Sequence, residues 1–164
     1  MNPKDLLDFI TYIGQLKEIE RWRGQFYWRD YPQQARYDSV ADHTWRLAVI
    51  LMLIKDKLSQ PFNLEKALKM ALIHDLPEII AGDDNPLEGD GTGNNTYAFN
   101  EDKALDKVEA QLRVLHYQRG NIFKSHQEFN VKYSSKYLGA DPFIDELIQE
   151  VLKEMQEKFV EFKK

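Results

Sequence analysis

The stretch ALKMALIHDLPEIIAGD, residues 67–83, places polar chemistry inside an apolar helical pattern, and that limits what the chain can build around it. Leu64, Leu68, Ala71, Leu72 and Ile79 recur at helical spacing, which predicts one helix from an Asn63 cap to a stop at Gly82. At about 100° per residue, His74 and Glu78 share a face and Asp75 sits beside them. An imidazole and two carboxylates crowded on an otherwise apolar element are costly to desolvate unless something binds them. A divalent cation meets that cost by coordination, and mixed nitrogen and oxygen donors suit it. A His-Asp pair also arises on solvated helix faces, so the reading needs partners from elsewhere in the chain.

The rest of the chain supplies them. Asn2-Pro3 opens a first helix by cap and proline, and Leu6, Phe9, Ile10, Ile13 and Leu16 form its stripe, ending near Ile19. The aromatic, charged segment from Arg21 to Tyr37 contains Pro32 and reads as a loop lying over something. Ser39-x-x-Asp42 is a capping box that starts a helix running to about Leu58, with Val40, Leu47, Ile50, Leu51, Ile54 and Leu58 inward. His43 lies in its first turn. The short turn at Pro61 makes this helix and the next antiparallel neighbours, so the start of one lies beside the end of the other. His43 is thereby brought next to His74 and Asp75.

From Asp84 to Thr96 the chain is rich in Gly, Asp and Asn. Its Gly89-x-Gly91-x-Gly93 lacks the strand, the Lys-Ser/Thr and the helix that a phosphate loop needs, so it reads as a flexible linker. A helix over roughly Ala98–Tyr117 turns Leu105, Val108, Leu112 and Leu115 inward, with Asp106 one step off that stripe. Phe123 to Gly139 has aromatics without clean periodicity and reads as irregular, with helical turns. Asp141-Pro142 starts a last helix with a wide apolar stripe from Phe143 to Phe159. No alternating strand pattern of useful length occurs. The expected class is all-α, in a single domain over residues 1–164.

The chain of 164 residues has no cysteine, which excludes disulfides, thiolate metal sites and a cysteine nucleophile. A net charge of −5 argues against binding of nucleic-acid polymers or anionic membranes. A phosphorylated small substrate stays open, because a local cation overrules the global sign. No signal-peptide layout or membrane-length apolar run appears, and a cytoplasmic location is expected.

SVADH (39–43), ALIHDLPEIIAGD (71–83) and KALDKVEAQL (103–112) together resemble the HD-domain metal phosphohydrolases, in the branch of the 5'-deoxynucleotidases. LKEIERW (16–22) is similar to that branch's substrate-side motif. The resemblance implies a helical bundle of about five to six helices. It implies His43, His74, Asp75 and Asp106 as ligands of one divalent ion, which the donor set leaves open among Mn, Co, Fe, Ni, Zn and Mg. It implies Glu78 and Asp83 as an acid/base pair, and Arg21 with Trp22 at the phosphate and nucleoside. The implied reaction is hydrolysis of a nucleoside 5'-monophosphate, perhaps deoxy. One departure stands out. The family has a further helical stretch before the last Asp, and here NTYAFNEDKA runs straight into LDKVEAQL, as if a segment were absent between Ala104 and Leu105.

Each residue has a plainer role beside this one. His43 packs on Trp45 or Trp22; Asp42 is the capping-box partner; Glu78 is a solvated acid past Pro77. Asp83 caps a turn, Asp106 pairs with Lys103 or Lys107, and Arg21 closes a helix dipole. Trp22 and Trp28 serve as core or lid aromatics. His116 and His126 lie outside the motifs. Two other functions share the pattern. One is a nucleotide tri- or pyrophosphohydrolase, for which Arg21, Arg23, Arg29, Arg36 and Arg46 offer charge. The other is a catalytically idle module that binds or regulates. The family tendency and the last helix's stripe point to a homodimer, unless that stripe closes the core.

Overall fold

A computed structural model describes residues 2–21, 38–83, 100–118, 121–122, 124–158 and 160–161. Helix α1 spans Pro3–Ile13 and a 3-10 turn follows over Gly14–Lys17. Then come α2 (Val40–Ile54), α3 (Leu64–Ile73), the four-residue α4 (Glu78–Ala81), α5 (Asn100–Gln118), α6 (Lys124–Ser135) and α7 (Pro142–Lys158). Asn121–Ile122 pairs in parallel with Val160–Glu161, a two-residue ladder that leaves the architecture all-α.

The predicted caps form. Asn2 Oδ1 accepts from Asp5 N–H at 2.9 Å. At the start of α2 the capping box is complete: Asp42 N–H donates to Ser39 Oγ at 3.1 Å and Ser39 N–H to Asp42 Oδ2 at 2.9 Å. Asn63 Oδ1 accepts from Lys66 N–H at 2.9 Å. At α7, Asp141 Oδ1 takes Phe143 N–H at 2.8 Å, while its Oδ2 takes Ser59 N–H at 2.7 Å and Ser59 Oγ–H at 2.6 Å. One carboxylate therefore caps α7 and ties it to the turn after α2.

The expected single helix over 67–83 is broken in two. Pro77 has no N–H to donate, and its ring excludes the carbonyl four residues back. The chain responds with tight i→i−3 bonds: Leu76 N–H to Ile73 O at 3.2 Å, Glu78 N–H to Asp75 O at 3.0 Å and Ile79 N–H to Leu76 O at 3.2 Å. His74 and Asp75 thus sit in a turn between α3 and α4, and the shared-face argument for His74 and Glu78 does not describe the geometry. Leu72, expected on the inner stripe, is exposed. Gly82 ends α4 at φ +76°, a conformation few other residues adopt.

The core is built by α2, α3, α5 and α7. Leu47, Leu51, Ala67, Ala71, Leu105, Val108, Ile144, Ile148 and Met155 are buried together. The stripe of α7 therefore closes the core. One expectation fails besides the long helix. The segment read as irregular contains α6, a regular helix of 12 residues. In α1 no residue is buried, so Leu6, Phe9 and Ile10 stay exposed among the described residues. The segments 22–37 and 84–99, with Trp22, Trp28 and the glycine run, lie outside the described residues. So do the side chains of His116 and His126. Among the described residues no helix is long and apolar enough to cross a membrane.

Burial works against the charge of Asp141, but the Ser59 bonds and the α7 amides outweigh it and hold its carboxyl below the usual carboxylate range. A depressed folded-state pKa stabilises above the unfolded value of about 3.9 and stops doing so as pH falls through the folded one. Asp141→Ala should therefore cost about 1–2 kcal/mol near neutrality. That gap to the wild type should narrow in acid below pH about 4, as urea melts across pH would measure.

Candidate functional site

His43 is the fourth residue of α2, placed there by the Ser39 cap, and its side chain is fully buried. His74 caps the C-terminus of α3, with Asp75 next to it. Because α2 and α3 pack together, the two imidazoles meet edge to face with ring centroids 5.7 Å apart. Helix α5 lies against α2 and contributes Asp106 and Glu109, three residues apart on one face. It runs without a break through Ala104 and Leu105 and brings Asp106 to the cluster.

The polar atoms converge. His43 Nε2 lies 2.9 Å from Asp106 Oδ1 and 3.5 Å from Asp75 Oδ2. His74 Nε2 lies 3.0 Å from Asp75 Oδ1. One ligand atom each from His43, His74 and Asp75 falls within 4.8 Å of the others, close enough to hold a metal ion. The other ring nitrogens are occupied. His43 Nδ1–H donates to Glu109 Oε2, and His74 Nδ1 faces the Ala71 carbonyl at 2.9 Å. Those acceptors hold Nδ1–H in each ring and turn both Nε2 atoms toward the carboxylates. His43 Nε2 is buried and, among the described residues, makes no hydrogen bond despite its near oxygens. A divalent cation fits this donor set.

Around the cluster lies a layer of buried charge. Glu109 is fully buried and accepts from Arg21 Nη1 at 3.0 Å and from Arg46 Nη1 at 2.8 Å, besides His43. Arg21 emerges after the 3-10 turn, where its N–H donates to Asp38 O at 2.9 Å and Val40 N–H donates to Ile19 O at 3.0 Å. This bridge pins Arg21 beside the start of α2. Its guanidinium reaches Glu109 and lies 3.9 Å from Asp83, so it does not serve as the terminal charge of α1. Asp106 Oδ2 meets Lys107 Nζ at 2.5 Å, and that ammonium also faces the Tyr133 ring 5.8 Å away.

The local fields follow from this layout. Burial and Arg21 oppose the charge of His43, but Glu109 and Asp106 prevail and raise its pKa to about 9. Burial would raise Asp106; Lys107 and His43 hold it well below the ordinary value. Burial likewise opposes the charge of Glu109, which His43, Arg21 and Arg46 keep ionised. Glu78 goes the other way. Burial, then Asp75 and Asp83, push its pKa up to about 8.

Of the residues singled out from sequence, Arg21, His43, His74, Asp75, Glu78, Asp83 and Asp106 come together here, and Trp22 lies outside the described residues. Glu109 was missed. Its signal is present in KALDKVEAQL: a glutamate between Val108 and Ala110, three residues after Asp106, turned into the apolar side of its helix.

Residues 13–157 match the HD domain family. The chain is 29% identical over 148 residues to the human 5'-deoxynucleotidase HDDC2, covering 89% of this chain and 64% of that one. The mouse protein of that name is 35% identical over 146 residues, covering 88% and 64%. The Saccharomyces cerevisiae 5'-deoxynucleotidase YBR242W is 36% identical over 87 residues, covering 53% and 33%. The chain thus spans under two thirds of the length of these relatives.

A cation that binds the folded chain alone stabilises it by mass action. Manganese or cobalt at about 100 times its Kd should add about 2.7 kcal/mol. His43→Ala and Asp106→Ala should each abolish that increment, as thermal melts with and without chelator would measure.

Proposed function

The chain belongs to the HD-domain family, and we propose that it is a metal-dependent phosphohydrolase acting on deoxynucleoside 5'-monophosphates. The observation that carries this reading is the pair of Nε2 atoms, from two helices, facing Asp75 and Asp106 with both Nδ1 atoms engaged elsewhere. His43, His74, Asp75 and Asp106 would hold the ion. When bound, the cation supplies positive charge against phosphoryl oxygens and acidifies water. The relatives' names support the substrate class.

The chain's own residues perform the remaining work. Glu78 opens α4 beside Asp75, with Oε2 buried and lacking a hydrogen-bond partner among the described residues. Its carboxyl, raised to about 8, exchanges protons near neutral pH, which suits a group that takes a proton from an attacking water. Asp83, 3.9 Å from Arg21, would give a proton to the leaving oxygen or hold a sugar hydroxyl. Arg21, fixed by the bridge to Asp38, offers a planar guanidinium for the phosphate. Arg46 is turned onto Glu109 and Asp38.

Phosphate release from a panel of nucleotides with manganese or cobalt tests the reading. Turnover of deoxynucleoside monophosphates is expected. Metal uptake without turnover of any nucleotide would leave a binding module in its place. Glu78→Gln should keep metal uptake and lower kcat by about 10²–10⁴-fold, and full activity in that variant would remove Glu78 from its role.

A further inference from the structure

Glu109 has no part in the proposed ligand set, yet three side chains donate to it. Its Oε2 receives His43 Nδ1–H and Arg21 Nη1–H, and its Oε1 receives Arg46 Nη1–H. It is 0% exposed, so water cannot substitute for any of these donors. A buried carboxylate is tolerated only where cations and hydrogen bonds replace its hydration. Three donors converging from α2 and from the segment before it indicate a group that fixes other side chains in place.

We propose that Glu109 is the positioning residue of the metal centre: by holding His43 through Nδ1–H, it sets the imidazole's tautomer and orientation so that Nε2 faces Asp75, Asp106 and the cation. This rests on the metal-centre reading above. An imidazole has two nitrogens, and a rigid acceptor at one commits the other to the metal. His74 reaches the same end by local means, through the Ala71 carbonyl of its own helix. At the matching offset in α2 the Val40 carbonyl accepts from Thr44 Oγ1–H at 2.7 Å, and the acceptor of His43 Nδ1–H comes instead from outside its own helix. Helix α5 supplies it, and the i, i+3 spacing lets one helix deliver Asp106 to Nε2 and Glu109 to Nδ1 of the same ring. Arg21 and Arg46 then hold the carboxylate against rotation.

Glu109→Gln tests this with little change of shape. The amide keeps one acceptor but turns a donor toward cationic partners. Cobalt affinity, measured by calorimetry on chelator-stripped protein, should fall about 10–100-fold, with helix content unchanged by circular dichroism. Glu109→Asp should recover part of the loss, since the shortened carboxylate still accepts. Unchanged cobalt affinity in a folded Glu109→Gln would overturn the proposal and leave the metal centre standing. Absence of cobalt uptake by the wild type, with His43→Ala indistinguishable from it, would overturn the metal centre and the proposal together. Should Glu109→Gln fail to fold, the wild type decides the matter by nitrogen-15 NMR of the zinc-loaded protein. A His43 resonance with Nε2 metal-bound and Nδ1 protonated supports the proposal, and a ring bound through Nδ1 overturns it.

Discussion

Everything in this protein depends on keeping charge inside a helical core without water. Helices α2 and α5 press against each other through Leu47, Leu51, Leu105 and Val108. One end of that contact carries His43, Asp106 and Glu109, all fully or almost fully buried. Apolar packing brings those groups within bonding distance, and electrostatics decides whether they stay. Each buried carboxylate in the contact is answered by a cation: Asp106 by Lys107, and Glu109 by Arg21 and Arg46. Removing one partner would strand the other, which is why such layers respond to substitution as units.

The break at Pro77 is the second constraint. A continuous helix from Leu64 to Ala81 would have carried Glu78 a full turn beyond His74 on one cylinder. The turn instead lets the chain change direction after Ile73, and it sets Asp75 between the two histidines with one oxygen toward each. Glu78 then begins a new short helix whose electrostatic neighbours are Asp75, Asp83, Arg21 and His43.

Much of this was legible in the sequence, and the failures have causes. Caps at Asn2, Ser39, Asn63 and Asp141 were readable because each is a local bond between a side chain and an amide two or three residues on. The meeting of His43 with His74 followed from a short connection between two helices. Pro77 was visible but was overruled by the apolar periodicity around it; the missing N–H wins because no packing replaces a covalently absent donor. Helix α6 was hidden because its sequence, KSHQEFNVKYSS, has little apolar periodicity. Glu109 escaped because a charged residue on an apolar helix face is assigned to the surface by default. Only its long-range partners, Arg21 and Arg46, distant in sequence, reveal why it is buried.

The balance of charge at the site bears on what it is built to hold. Among the described residues, Asp38, Asp75, Glu78, Asp83, Asp106 and Glu109 stand around it, against the fixed cations Arg21, Arg46 and Lys107. Fully ionised, the carboxylates exceed those cations by about the charge of one divalent ion and one proton. The chain on its own answers the excess with protons, raising His43 to about 9 and Glu78 to about 8. A cation among His43, His74, Asp75 and Asp106 would take over the share now met on His43, because its Nε2 cannot carry a proton and a metal together. Glu78, on a different element, shares in the same field through Asp75 and Asp83, so its protonation is coupled to that cation. The same electrostatic deficit therefore links both halves of the proposed chemistry, the place for a cation and the protonation of the carboxyl beside it.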